Sequence, residues 1–107
     1  MLTKQDNDLM CRTGPDTAMG EAMRRFWLPV MHLSDLPPSG GDPKPLELLG
    51  EHFVAWRDEQ GRAGLFSAYC LHRGASMVLA RAEGDGLRCI YHGWKFAVDG
   101  AVLDTPN

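Results

Sequence analysis

Two short clusters, each holding one cysteine and one histidine, constrain this chain more than any other feature. Cys70-Leu71-His72-Arg73-Gly74 comes first, and Cys89-Ile90-Tyr91-His92-Gly93-Trp94 follows, with residues 73–88 between His72 and Cys89. A thiolate and an imidazole from each cluster can converge on one metal centre if both clusters sit on loops at the same end of a β-sheet. The spacings suit that arrangement. In Cys-x-His the two side chains can point the same way from an extended loop, whereas Cys-x-x-His suits a turn. Gly74 and Gly93 stand just behind the histidines, where a tight turn with positive φ forms most easily.

The rest of the composition makes a metal plausible as a source of stability. With 107 residues the chain has room for one domain. Twelve glycines and seven prolines favour tight turns over long helices. Its three cysteines, Cys11, Cys70 and Cys89, are too few for a disulfide-stapled secreted scaffold. A reducing, cytoplasmic setting is therefore expected, with Cys11 a free thiol. A formal charge of −3 argues against a nucleic-acid partner. No apolar run approaches the ~20 residues that a membrane span needs, and the polar run Met1–Met10 lacks the apolar centre of a signal peptide.

Along the chain, Cys11–Thr17 reads as a turn, with Asp16 or Thr17 capping a short helix from Ala18 to Trp27 that Pro29 stops. Met19, Met23, Phe26 and Trp27 fall at helical spacing, and Phe26, Trp27 and Val30 are expected to form an apolar core cluster, with a domain or subunit interface as the alternative. Arg24 and Arg25 suit the negative end of the helix dipole. Leu36–Pro45 carries four prolines and two glycines and reads as an exposed connection. Short extended segments follow: Leu46–Leu49, His52–Trp56, Ala63–Ala68 after a Gly61 turn, Ser76–Ala80, Gly86–Ile90, and Trp94–Val98 with Ala101–Leu103 joined by Asp99-Gly100. The expected fold is mainly β: an N-terminal helix and extension over about residues 1–35, and a β core over about residues 45–107.

Two kinds of metal site fit the clusters. A single zinc takes Cys2His2 tetrahedrally, but zinc-finger spacing usually keeps the cysteines together and places the histidines on a helix. Mixed Cys/His halves suit a [2Fe-2S] cluster in which one iron takes two thiolates and the other two imidazoles, the Rieske arrangement.

With these residues, the sequence resembles the Rieske domain of ring-hydroxylating oxygenases. Phe26-Trp27-Leu28-Pro29-Val30 is similar to the N-terminal segment of the phthalate dioxygenase-like branch, and the likeness covers essentially the whole chain. It departs at Leu71, where that family usually has proline. The resemblance implies a small antiparallel β-sandwich with two cluster-binding loops. It implies Cys70 and Cys89 on an inner iron, His72 and His92 on an outer one, and Arg73, Gly74, Tyr91, Gly93 and Trp94 around the cluster. It further implies an electron donor, either reductase or ferredoxin, and a trimeric assembly. The acceptor would be a mononuclear Fe(II) in a catalytic domain of the same or a neighbouring subunit, serving aromatic hydroxylation or demethylation. His32 and His52 cannot supply a facial triad for that iron. The chain is therefore expected to be the electron-transfer portion of a longer oxygenase, with a free-standing Rieske ferredoxin as the alternative. Respiratory Rieske proteins, which this motif also resembles, carry extra cysteines where this chain has Ala75 and Tyr91, and hydroxyl donors where it has Trp94 and Phe96. Fewer hydrogen bonds to the sulfurs place the expected potential toward the lower end of a range of roughly −150 to +300 mV.

Overall fold

The computed structural model describes residues 1–106. By its internal contacts the chain forms two units, Met1–Val30 with Glu47–Glu51, and Met31–Leu46 with His52–Asn107.

The first unit carries two short helices rather than the one expected. Helix α1, Lys4–Cys11, starts where the Thr3 hydroxyl accepts the Asp6 N–H at 3.1 Å. It buries no residue, so no apolar period announces it. Helix α2, Ala18–Met23, is capped by Thr17, whose hydroxyl accepts the Gly20 N–H at 3.1 Å. It stops at Met23, short of Trp27. Arg24 does not extend the helix: its guanidinium donates to the carbonyls of Thr13 (3.0 Å) and Leu49 (3.1 Å) and to Glu51 (2.8 Å). Beyond the helix, Phe26, Trp27 and Val30 are exposed, with Trp27 fully open to solvent. The expected core cluster is thus corrected, because the helical spacing that would turn these side chains inward ends before them.

The second unit is built on two antiparallel sheets. Strands β1 (Lys44–Leu48), β2 (Glu51–Arg57) and β3 (Ala63–Ser67) run in the order β1-β2-β3, and β4 (Arg81–Glu83), β5 (Gly86–Arg88), β6 (Lys95–Ala97) and β7 (Val102–Asp104) run in sequence order. In the first sheet Trp56 faces Gly64, where an added Cβ would lie 2.5 Å from the indole nitrogen, so the strand crossing needs glycine. The β2–β3 turn is held by Asp58, which is buried and accepts the Arg62 N–H (2.8 Å) and Nε (2.7 Å), with Gly61 at φ +84°. The expected Asp99-Gly100 turn joins β6 to β7, with Gly100 at φ +88°. A hydrogen bond from the Glu59 N–H to the Gly84 carbonyl (2.9 Å) links the β2–β3 turn to the β4–β5 turn of the other sheet.

Two stretches differ from the expected strands. Ser76–Ala80 is not a strand: only Ser76 bridges to Tyr69, and Met77–Leu79 form one 3-10 turn. Met77 drops into the core, and its N–H bonds to the Ala68 carbonyl at 2.7 Å, which bends the chain off the sheet. Arg81–Glu83, too polar to show an alternation, does form a strand. The Leu36–Pro45 connection is irregular up to Lys44, although Pro37 and Pro43 are buried in it. No helix among the described residues is long and apolar enough to cross a membrane.

The core gathers Val54, Trp56, Met77, Leu87 and Phe96, and both Cys70 and Cys89 belong to it. Leu87 is fully buried and Leu33 is exposed. Leu87→Ala should therefore cost about 2–5 kcal/mol, and Leu33→Ala no more than about 0.5 kcal/mol, read by urea unfolding. Burial alone would raise the Asp58 pKa, but the Arg62 backbone N–H, guanidinium and charge bring it below the ordinary 3.8. A depressed carboxylate contributes stability that is complete above its unfolded pKa and is lost as the pH falls through the folded one. The stability gap between wild type and Asp58→Asn should accordingly hold constant above pH 5 and narrow below about pH 3.8.

Candidate metal centre

The two clusters fold into loops with one backbone plan. In each, the cysteine N–H donates to the carbonyl five residues on: Cys70 to Ala75 at 2.7 Å and Cys89 to Trp94 at 2.8 Å. The glycine four residues on then donates back to the cysteine carbonyl, Gly74 to Cys70 at 2.8 Å and Gly93 to Cys89 at 3.1 Å. Both glycines have positive φ, +70° and +78°, as the spacing predicts. Within this shared backbone plan the histidine hangs two residues after the first cysteine and three after the second.

This plan sorts the side chains by depth. Cys70 and Cys89 are 6% and 1% exposed, His72 is half-buried, and His92 is exposed. The imidazoles meet edge to face with centroids 4.8 Å apart. Trp94, from the second loop, lies flat on His72 of the first at 4.4 Å and 6°. Tyr91 packs on His92 at 3.9 Å. Arg73 is exposed at the loop tip. His32 and His52 are exposed too, and Cys11 is an exposed free thiol, in contrast to the buried Cys70 and Cys89.

Burial raises the Cys70 pKa. The backbone N–H of His72 opposes that shift, and the neighbouring Cys89 thiol adds to it. His72 is lowered from its ordinary 6.5 by burial first, then by the charges of His92 and Arg73. Its ring is therefore neutral at physiological pH, the form in which imidazole binds metals.

The Rieske [2Fe-2S] domain matches residues 26–107. The chain belongs to the Rieske [2Fe-2S] domain family. Over its whole length it is 46% identical to the phthalate 4,5-dioxygenase oxygenase subunit of Pseudomonas putida, covering 24% of that protein. Over 99% of its length it is 42% identical to the 5,5'-dehydrodivanillate O-demethylase oxygenase subunit of Sphingobium sp., again covering 24%. A fluorene-bound oxygenase and ferredoxin complex of carbazole 1,9a-dioxygenase is 32% identical, with a TM-score of 0.60 over 74% of this chain and 21% of the matched one. The chain thus spans about a quarter of the length of the curated relatives it matches.

The residues fit a Rieske cluster better than a single ion. Among the described residues no three His, Cys, Asp or Glu side chains group closely enough to hold one ion; a structural zinc needs four donors about a single point. A two-iron cluster asks for only two protein ligands per iron. Here two neighbouring thiols lie inside and two touching imidazoles lie toward solvent.

Arg88, which no motif marks, also reaches the second loop. Its guanidinium reaches the Gly93 carbonyl at 2.6 Å, Glu83 at 2.6 Å and Asp104 at 3.0 Å. The one local signal was a cation placed directly before Cys89.

The two glycines should not be equally replaceable. A Cβ at Gly74 meets no atom within 4 Å, whereas one at Gly93 would lie 2.9 Å from the Pro106 ring. Gly74→Ala should cost the left-handed strain alone, about 1–2 kcal/mol. Gly93→Ala should cost clearly more and release bound iron, as paired unfolding curves and iron assays would show.

Proposed function

We propose that this chain is the electron-transfer domain of a ring-hydroxylating or demethylating oxygenase. One [2Fe-2S] cluster would be held by Cys70, Cys89, His72 and His92. The observation that carries the reading is the shared loop plan, in which two thiols are buried and two imidazoles meet closer to the surface. A cluster bound there supplies one-electron storage. The residues of the chain do the rest. Cys70 and Cys89 reach it from inside the apolar core, away from water. Trp94 covers the ring of His72, which leaves the exposed His92 as the edge open to an acceptor. A neutral ligand imidazole keeps its second ring nitrogen free to donate a hydrogen bond outward.

The similarity to oxygenase subunits favours this role over a free-standing ferredoxin carrier. We further propose that the donor is a reductase or a ferredoxin. The acceptor is a mononuclear Fe(II) held in a catalytic domain of the same or a neighbouring subunit in a trimer, and the setting is the cytoplasm.

Reduced protein should give a rhombic EPR signal with average g well below that of all-cysteine clusters, together with about two irons and acid-labile sulfide per chain. His92→Cys should shift that signal or lose the cluster. Colourless protein carrying zinc and no labile sulfide would overturn the reading. The midpoint potential should fall toward the lower end of roughly −150 to +300 mV, as a redox titration would establish.

A further inference from the structure

We propose that Arg88 is the positioning residue of this site. It is a three-way clamp that fixes the Gly93 carbonyl and, through the Gly93–Trp94 peptide, the settings of both histidines. The consequence for the cluster rests on the ligand reading above; the immobilised loop does not.

Arg88 is the last residue of β5 and immediately precedes Cys89. It faces Arg81 across one strand pairing and Lys95 across the other, a crowd of cations that would repel it. Two carboxylates turn to it instead. Glu83 of β4 accepts from Nε at 2.6 Å, and Asp104 of β7 accepts from Nη1 at 3.0 Å. The same Nη1 donates to the Gly93 carbonyl at 2.6 Å. The rigid, planar guanidinium is thus oriented from both flanks while it holds the second loop. Pro106 closes over Gly93 from another side.

The first loop has no such tie. Tyr69 occupies the place of Arg88 there; it is exposed, and its N–H reaches only the Ser67 hydroxyl, at 3.4 Å. Among the described residues no side chain donates to the Gly74 carbonyl. What the first loop has is the Trp94 indole lying on His72, and Trp94 is the residue after the clamped carbonyl. The dependence therefore runs from Arg88 to the second loop, and from the second loop to His72.

Magnitudes favour a local role over a global one. Glu83 and Asp104 are half exposed and the Arg88 side chain is 27% exposed, so each ion pair adds little to overall stability. A planar fork with three fixed partners restricts geometry far more than it adds free energy. Lysine keeps the charge and loses the fork.

The test uses the full-length, cluster-loaded protein. In Arg88→Lys, hydrogen exchange should rise about tenfold across residues 89–94 and by a smaller factor across 70–75, with residues 51–57 of β2 unchanged. The g-values of the reduced protein should move, and a chelator should remove iron severalfold faster. Asp104→Asn, which keeps Arg88 and removes one arm, should show the same pattern more weakly, and it decides the matter if Arg88→Lys fails to fold. Wild-type exchange in both loops would overturn the clamp. So would exchange rising in step across β2, which would make Arg88 a residue of the fold alone. If the wild type carries no iron or labile sulfide, the ligand reading fails while the exchange data still decide the clamp.

Discussion

The pair of backbone hydrogen bonds that closes each Cys–His loop is the constraint on which the site depends. A buried backbone N–H or carbonyl must find a partner, and both cysteines are buried. Each loop answers this internally: the cysteine N–H bonds forward to the fifth carbonyl, and its own carbonyl is met by the glycine N–H. That closure requires a left-handed residue at the fourth position, which Gly74 and Gly93 supply. It also leaves the intervening side chains pointing away from the core. Thiols inward and imidazoles outward is thus a result of backbone accounting before any metal is considered.

The same loops are joined to the core by packed rings. Trp56 meets Phe66 at 5.3 Å, Phe66 meets Phe96 at 6.2 Å, Phe96 meets Trp94 at 6.3 Å, and Trp94 lies on His72 at 4.4 Å. Close-packed interiors transmit displacement because no void absorbs it. In a unit this small, the side chains that fill the core also set the rings at its rim. Phe96, paired with the buried Leu87 across β5 and β6, belongs to both the core and this series of rings.

Much of this was legible in the sequence, for identifiable reasons. The cysteine, histidine and glycine spacings report on loops that close on themselves within six residues, so local sequence contains nearly all the information. The Asp99-Gly100 hairpin and the Gly61 turn are local in the same sense. What could not be read depends on distant partners. Phe26 and Trp27 continue a helical spacing, yet the helix ends at Met23, and Arg24 instead joins Thr13, Leu49 and Glu51. Met77 sits in a strand-like run, but core filling pulls it into a 3-10 turn. The partners of Arg88 are spread from Glu83 to Asp104, and no motif links them.

These two kinds of information bear differently on the cluster potential. Hydrogen bonds to ligand sulfurs stabilise a reduced cluster, and at positions 94 and 96 this chain carries Trp and Phe, which have no hydroxyl to offer. The backbone N–H groups of His72 and Arg73 oppose burial at Cys70, although burial prevails and its pKa is raised. A side-chain hydroxyl can rotate to suit a sulfur; a backbone N–H goes only where its loop goes. With backbone amides as the donors, the electrostatics at the sulfurs follow from loop geometry. With a cluster held by these loops, whatever fixes them, from the glycine turns to the ring stack on His72, would become part of what sets its potential.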